Sequence, residues 1–377
     1  MDNYGLLTDR KRITRSRVYR CFYASPSPLS KQDISQQLKL SLPTVYQNIN
    51  ELLELGLIEY SGAQASRGGR PAMQMQMVAD ARCAVGIYIS LNRVYFALTN
   101  LRSELLAHSD ISHELRLLSD EYNCFLAQEL ERFLDANGVR RDKLLGVGIC
   151  LSGIIDPENN SIFYAPPLGL RNVSMQGLID TIPYPVHPEN DASSGGFAEW
   201  FIGAEGDNLA FLSLAAGVGG AVFVNGGSYP GSNQRSGEFG HMCIEKGGRR
   251  CTCGKRGCLE AYCSSSRISS DLGISLDEFF RRLGEGDERL QALWDDYLEH
   301  LAVGIHNIRM AMDCRIVLGG MMAEYLGPYL PRLRHLVAEA DPFCNDADYL
   351  SLGHFSGKGP LLGSALYFVK NFLESNI

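Results

Sequence analysis

The chain has 377 residues, which predicts two or three folding units, and its 21% charged and 45% hydrophobic residues exclude a largely disordered protein. No apolar run approaches the ~20 residues that span a bilayer and no signal peptide is evident, so we expect a cytoplasmic protein without a membrane partner. The net charge of −8 is uneven, because residues 1–80 hold ten Lys and Arg against seven Asp and Glu. A basic head on an acidic body favours nucleic acid binding at one end.

The first 80 residues predict a winged helix-turn-helix domain. Residues 9–24 form a helix that carries six basic side chains between Arg10 and Arg20. Ser30 and Ser41 are typical N-cap residues of two further helices, and Gly56 ends the last of them. The remaining elements are a strand at 57–60, a polar turn at 61–69 and a returning strand at 73–78. Three helices followed by a hairpin define this domain class.

The third helix is predicted to lie in the major groove of DNA, since its polar face carries side chains that can contact bases and phosphates. Arginines in the Gly-rich wing suit a narrow minor groove. The candidate DNA contacts are Thr44, Tyr46, Gln47, Asn48, Arg67 and Arg70. Two alternatives stay open at this point: the helix simply has a solvated polar face, and the Arg67–Arg70 segment is a flexible tether.

After Ala79 the pattern changes to that of an α/β body. The predicted elements are two adjoining strands at 83–100, a helix at 115–137, a buried strand at 144–151, a strand pair at 213–224, helices at 288–312, a strand at 314–318 and a last helix at 361–373. No repeat at solenoid spacing interrupts this order. The body therefore contains mixed sheets covered by helices.

Five of the eleven cysteines lie close together in the sequence. One imidazole and three thiols, from His241, Cys251, Cys253 and Cys258, provide a Cys₃His set within 18 residues, as in structural zinc sites. On spacing alone, chance clustering of reduced thiols is the alternative. The two other nearby cysteines, at 243 and 263, are interpreted as packing residues.

The residues around this set resemble the ROK family of repressors and sugar kinases. The resemblance rests on Gly237-Glu238-Phe239-Gly240-His241 and on Cys251-Thr252-Cys253-Gly254-Lys255-Arg256-Gly257-Cys258-Leu259-Glu260-Ala261, with further blocks at 189–192 and 319–320. It implies an actin-like (ribonuclease H-like), two-lobed sugar-kinase fold, structural Zn²⁺, and the added winged helix of the repressor branch. The expected domains are 1–80, a small α/β lobe at 81–193 completed by the helix at 361–377, and a large α/β lobe at 194–360.

The same resemblance implies a sugar-binding set. Carried over by position, its members are Asn190, Asp191, Glu238, His241 and Glu260, and Asp191 would be the general base of a kinase. Carboxylates and amides suit vicinal hydroxyl groups, and His241 can bind zinc with one ring nitrogen and a ligand with the other. The alternative is that Asp191 and the glutamates only cap local turns. Pro167 stands where the family commonly has asparagine, so the preferred sugar is left open.

The phosphate-binding half of the kinase pattern is degraded. Residues 86–92 lack the aspartate and glycines of the first phosphate loop, and residues 215–220 keep only half of the second. We therefore expect a sensor without kinase activity, which is a sugar-responsive repressor that binds an inverted-repeat operator as a homodimer or homotetramer. The alternatives are an ATP-dependent sugar kinase with a DNA-binding head and a regulator controlled by a protein partner.

Overall fold

The computed structural model describes residues 3–63, 73–203, 207–343 and 345–375, with residues 3–10, Ala63 and Ser356 described by their backbone alone. The predicted wing residues Arg67 and Arg70 lie outside these ranges. Among the helices of the described ranges, none has the length and apolarity needed to cross a membrane.

The head contains the predicted helices and hairpin. Its elements are α1 (Asn3–Ala24), β1 (Leu29–Ser30), α2 (Lys31–Leu38), α3 (Leu42–Glu54), β2 (Ile58–Ala63) and β3 (Met73–Met77). The three strands form an antiparallel sheet in the order β1-β3-β2. Ser30 and Asp33 form a capping box at α2, and the Ser41 hydroxyl accepts the Thr44 N–H at α3. These local hydrogen bonds fix where both helices begin, which confirms the winged-helix prediction.

The small lobe follows the head. Its elements are β4 (Cys83–Ile89), β5 (Arg93–Asn100), β6 (Leu105–Ser112), α4 (Asp120–Ala136), β7 (Leu144–Leu151), β8 (Ile154–Asp156), β9 (Ser161–Ala165), β10 (Leu170–Ser174), α5 (Gln176–Thr181) and β11 (Val186–Asn190). Its main sheet has the order β11-β7-β4-β5-β6, with β4, β7 and β11 parallel. A second sheet, β10-β9-β8, lies beyond β7 in the chain.

The large lobe repeats the main topology. Its elements are α6 (Asp191–Gly203), β12 (Leu209–Leu214), β13 (Val218–Val224), β14 (Gly227–Ser228), α7 (Glu260–Cys263), α8 (Ser266–Leu272), α9 (Leu276–Gly284), α10 (Glu288–Met312), β15 (Arg315–Gly319), α11 (Ala323–Leu326), α12 (Leu330–Ala340) and β16 (Leu350–Leu352). The last helix, α13 (Gly359–Glu374), returns to pack on the small-lobe strands β4 and β7. The sheet order β14-β13-β12-β15-β16 again joins an antiparallel meander to parallel strands. The expected α/β fold class is confirmed.

Helices α6 and α13 pack against each other between the two main sheets. An added Cβ at Gly363 would lie 1.7 Å from the Ser194 carbonyl oxygen, so only glycine permits this approach. On the opposite side, Gly86 and Gly148 give α13 equally close access to β4 and β7. The predicted border between residues 193 and 194 therefore falls inside α6, whose packing against α13 and against β12 and β13 joins both lobes.

The head packs directly on this helix pair, because one apolar core contains residues of both. Val18 and Phe22 of α1 share that core with Phe201 of α6 and Leu366 of α13. Burial of such side chains stabilises the contact by about 1.5–3 kcal/mol each. The DNA-binding head is therefore a packed part of the molecule.

Candidate functional site

The first group of site residues lies where the parallel strands of the small lobe end. Asn190 is the last residue of β11, and Asp191 opens α6. The Asn190 amide donates to Gly153 O (2.7 Å) and accepts from Ser193 N (2.9 Å), while Asp191 accepts from Ala192 N (2.9 Å). Both residues therefore accept hydrogen bonds from the first turn of α6, and for Asp191 this agrees with the local capping alternative. Each keeps a polar atom that can still take a further hydrogen bond.

The Asp191 carboxyl is partly buried and is bonded to a hydroxyl group that the sequence had not indicated. Ser152, directly after β7, donates to the Asp191 Oδ2, and Tyr88 lies 3.5 Å from the Ser152 oxygen. Burial raises the pKa of Asp191 above its ordinary value, and the hydrogen bond from Ser152 opposes that shift. The signal for Ser152 was available, since it follows a buried strand at the edge where parallel sheets bind ligands.

The second group comes from the large lobe. Burial raises the pKa of Glu238, and repulsion from Glu260 and Asp191 adds to that rise, while His241 lowers it. The three carboxyl groups are thus close enough to interact, although they come from separate parts of the chain. Four of the expected sugar contacts, Asp191, Glu238, His241 and Glu260, belong to this one electrostatic cluster.

Glu260 joins two loops of the large lobe. Its Oε2 accepts the Val218 N–H (3.2 Å) after β12, and its Oε1 accepts from the Thr252 hydroxyl (2.5 Å) and from the Cys251 thiol (3.5 Å). Gly217 leaves room for this carboxylate, because an added Cβ would lie 2.9 Å from Glu260 Oε2. Glu260 therefore positions the loop that carries Cys251, Thr252 and Cys253 (the cysteine loop) against the turn at Gly217. The spacing of Glu260 in the sequence did not reveal this role.

The four candidate metal ligands meet in space. The ligand atoms of His241, Cys251, Cys253 and Cys258 all lie within 4.8 Å of one another. Cys253 Sγ is 3.8 Å from Cys258 Sγ, and Cys251 Sγ is 3.8 Å from His241 Nδ1. Tetrahedral zinc with bonds of about 2.3 Å separates its sulfur ligands by about 3.8 Å, so the set has the dimensions of such a site. The other ring nitrogen, Nε2, faces Glu238 Oε2 at 3.8 Å.

The polar face of α3 divides into exposed and buried members. Tyr46 and Gln47 are exposed, Thr44 is half-buried and bonded to the Ser41 hydroxyl (2.8 Å), and the Lys31 ammonium group lies 3.9 Å from the Tyr46 ring centre. Asn48 is only 3% exposed, and its amide donates to Thr44 O (2.7 Å). The prediction that Asn48 faces DNA is therefore wrong, because the helix turns this side chain toward the core of the head.

Part of the basic charge of α1 is used inside the protein. Lys11 and Arg15 pair with Glu51 of α3 at 2.6 and 2.5 Å. Arg20 donates to the Leu373 carbonyl oxygen (3.0 Å) at the end of α13, whereas Arg12 and Arg17 are exposed. The charge that counting assigns to DNA therefore also orients α3 and joins the head to the body.

The structure places a winged helix on a two-lobed α/β body, with a polar cluster between the lobes. Comparison with known proteins identifies the family to which this architecture belongs. The ROK family pattern matches residues 84–370, and a helix-turn-helix domain matches residues 14–61. The chain belongs to the ROK family.

Relatives of similar length carry the name of repressors. The chain is 30% identical over 359 residues to the xylose repressor of Bacillus spizizenii, covering 92% of this chain and 93% of that protein. It is 27% identical over 261 residues to the DNA-binding transcriptional dual regulator NagC of Escherichia coli, covering 68% and 64%.

Solved structures show the same fold. A ROK family transcriptional regulator, a homologue of the E. coli MLC protein, superposes with a TM-score of 0.78 at 22% identity and covers 97% of both chains. A ROK glucokinase of Streptomyces griseus, solved with glucose and AMPPNP, gives a TM-score of 0.62 at 18% identity and covers 76% of this chain and 98% of that chain. The regulator thus matches the head as well as the body.

Proposed function

We propose that this protein is a sugar-responsive transcriptional repressor. The observation that supports it most is the union, in one packed chain, of an exposed polar face on α3 with the carboxylate cluster of Asp191, Glu238 and Glu260. Residues 1–80 would bind operator DNA and the remainder would bind the effector. A two-fold homodimer or homotetramer would present two heads to an inverted repeat.

The sugar site in this proposal lies between the lobes. Asp191 and Glu238 accept hydrogen bonds from vicinal hydroxyl groups, and the free N–H of Asn190 and the Nε2 of His241 complete the set. Xylose and N-acetylglucosamine are the first candidates to test, because relatives carry the names xylose repressor and N-acetylglucosamine repressor. Pro167 is exposed in the turn between β9 and β10. It stands where the family commonly has an asparagine that could bind a sugar hydroxyl group.

We further propose that the Cys₃His cluster holds one structural Zn²⁺. Three thiolates and one imidazole match the preference of zinc, and the 3.8 Å separations match its tetrahedral size. When bound, the ion would fix the loop that carries Cys251 and Thr252 and, through it, the Glu260 carboxylate. His241 links this ion site to Glu238 of the sugar site.

Sensing without phosphorylation is part of the proposal. The turn after β4 is a tight hairpin in which the Ser90 N–H and hydroxyl both bond to Arg93 O at 2.9 Å, so these groups are not directed at a phosphate. The Val218 N–H, in the second loop, already bonds to Glu260. A coupled assay with ATP over a panel of pentoses, hexoses and amino sugars should show no turnover above background. ATP-dependent turnover that Asp191→Asn abolishes would instead establish the kinase alternative.

Operator binding tests the sensor directly. DNA fragments from the region upstream of the protein's own gene, measured by fluorescence anisotropy, should bind the full-length protein, and one sugar of the panel should weaken that binding. The same sugar should raise the melting temperature, since it binds only the folded state. Equal DNA affinity with and without every sugar would overturn the sensing half of the proposal.

A further inference from the structure

Cys243, which is not a member of the Cys₃His cluster, lies opposite one of its cysteines across a short stretch of paired backbone. Cys243 and Cys258 form an isolated antiparallel bridge. It is flanked by hydrogen bonds from Ile244 N to Gly257 O (2.8 Å) and from Leu259 N to Met242 O (2.9 Å). This arrangement defines a non-hydrogen-bonded pair, whose Cα atoms are about 4.5 Å apart and whose side chains stand on one face.

The pair meets the requirements of a disulfide. Disulfides join residues with Cα separations of about 4.4–6.8 Å, and the non-hydrogen-bonded pair falls within that range. Cys243 is exposed, and its Sγ makes only a weak 3.9 Å contact with Arg256 O. A rotation about its Cα–Cβ bond therefore breaks no strong interaction. Cys258, in contrast, is 3% exposed and supplies one of the four cluster ligands.

We propose that Cys243 and Cys258 form a reversible redox switch, in which hydrogen peroxide oxidises the two side chains to a disulfide and thereby removes one ligand from the zinc site. The proposal rests on the proposed zinc site. The Cys243 thiolate attacks the peroxide oxygen, the O–O bond breaks, and water leaves after protonation, so that Cys243 becomes a sulfenic acid. The Cys258 thiolate then attacks the Cys243 sulfur and displaces hydroxide, which leaves as a second water. Each hydrogen peroxide thus accepts two electrons from the two sulfur atoms and two protons, which come from the thiol group or, for a thiolate bound to zinc, from water.

The switch would act on the sugar site through Glu260. Cys251 and Thr252 of the cysteine loop both contact the Glu260 carboxylate. Glu260 is the first residue of α7 and follows Cys258 by two positions. A loop without its ion no longer fixes that carboxylate. Oxidation should therefore reduce sugar binding, and a dithiol with added Zn²⁺ should restore it by thiol–disulfide exchange.

The test uses the full-length, zinc-loaded protein and hydrogen peroxide. Zinc release is followed with a chromogenic chelator, and disulfides are mapped by mass spectrometry of peptides alkylated without reduction. We expect a peptide pair joined by Cys243–Cys258, and release of close to one zinc per chain. In Cys243→Ala, zinc release should be slower by more than about fivefold. In the wild type Cys258 attacks the Cys243 sulfenic acid intramolecularly, and the variant lacks this fast step. Cys124→Ala, which removes an exposed cysteine of α4, is the matched control and should behave as the wild type.

Equal zinc release from wild type and Cys243→Ala, or a mapped pair that omits Cys243, would overturn the switch. Its failure is distinguishable from failure of the zinc site. A purified protein without zinc refutes the metal site, whereas the Cys243–Cys258 peptide pair is scored by mass whether or not an ion is present.

Discussion

Asp191 is a carboxyl group whose ionised form the fold disfavours. Burial raises its pKa, so the folded protein holds this proton more tightly than the unfolded chain does. Stability therefore falls as the pH rises from the unfolded pKa through the raised folded pKa, and the full cost is present above the folded pKa. Such a cost is typical of a group retained for binding rather than for stability.

Replacing this carboxyl separates the two roles. Asp191→Asn should raise the melting temperature of the free protein at pH 7–8. It should also make the melting temperature depend less on pH. The same variant should weaken binding of the effector sugar about tenfold or more, because a charged carboxylate acceptor is replaced by a neutral amide whose second polar atom is a donor. Thermal unfolding at several pH values and calorimetric titration with the sugar measure the two effects. A variant that loses stability at neutral pH while keeping its sugar affinity would contradict this assignment.

Gln47 and Asn48 are neighbours in α3 with different surroundings. Gln47→Ala should weaken operator binding by about 1–3 kcal/mol and leave the melting temperature unchanged, because Gln47 is exposed on the face of α3 that we propose contacts DNA. Asn48→Ala should instead destabilise the head by about 1 kcal/mol through loss of the bond to Thr44 O. Anisotropy and thermal unfolding of both variants provide the comparison. Weaker DNA binding by Asn48→Ala at unchanged stability would restore Asn48 as a base contact.

At the scale of elements, α13 is held by backbone contacts that only small residues permit. Gly363→Ala should lower stability by roughly 2 kcal/mol, since its Cβ would overlap the Ser194 carbonyl oxygen and force α6 and α13 apart. Gly284→Ala, at the end of α9 with no neighbouring atom within 4 Å, is the matched control and should gain about 0.5–1 kcal/mol. Denaturant unfolding measures both. Equal effects of the two substitutions would show that the helices can separate freely.

If the proposed zinc site is occupied, the loop that carries Cys251 and Cys253 depends on the ion. Cys253→Ser should lower the zinc content from one ion per chain to near zero and lower the melting temperature, because the loop has little regular structure of its own. Cys124→Ser should keep both values. Metal analysis by mass spectrometry and thermal unfolding test the pair. Full zinc content in Cys253→Ser would show that this thiol is not a ligand.

At the scale of the whole molecule, α6 extends from the proposed sugar site to the winged-helix head. It begins at Asp191, and at its other end Phe201 stacks on Tyr23 of α1 with ring centres 6.3 Å apart. Thirteen helical residues span about 20 Å. Arg102 of the small lobe adds hydrogen bonds of 3.3 Å to the carbonyl oxygens of Tyr23 and Ser25. A change at the N-terminus of α6 therefore has a continuous packed route to the head.

Weakening the contact between Arg102 and the end of α1 should reduce the effect of the sugar on operator affinity and leave operator binding itself intact. Arg102→Met removes both hydrogen bonds without changing the charge of the head, so operator affinity should stay within about threefold while the effect of the sugar on it shrinks. Arg116→Met, at an exposed arginine of the same lobe, should respond as the wild type. Anisotropy titrations with and without sugar provide the measurement. An unchanged sugar response in Arg102→Met would exclude this joint from the coupling.

Local chemistry determined much of this protein. The Ser30 and Ser41 caps, the apolar spacing of α3 and α10, and the Cys₃His set could be predicted because each depends on neighbours within a few turns of the chain. Their outcomes are α2, α3, the long helix Glu288–Met312 and a cluster whose ligand atoms meet. Ends of elements differed by a few residues, as at α4, predicted from 115 but beginning at Asp120.

Only the tertiary structure decided what the polar groups do. Periodicity places Asn48 on a polar face, but the packing of the head leaves it only 3% exposed. Counting assigns Lys11 and Arg15 to DNA, but Glu51 pairs with both. Ser152, Thr252 and the pair Cys243–Cys258 gain their roles from partners that are distant in sequence or lie across a backbone bridge. Such roles depend on which strands and loops meet, and the one-dimensional pattern of a chain does not contain that information.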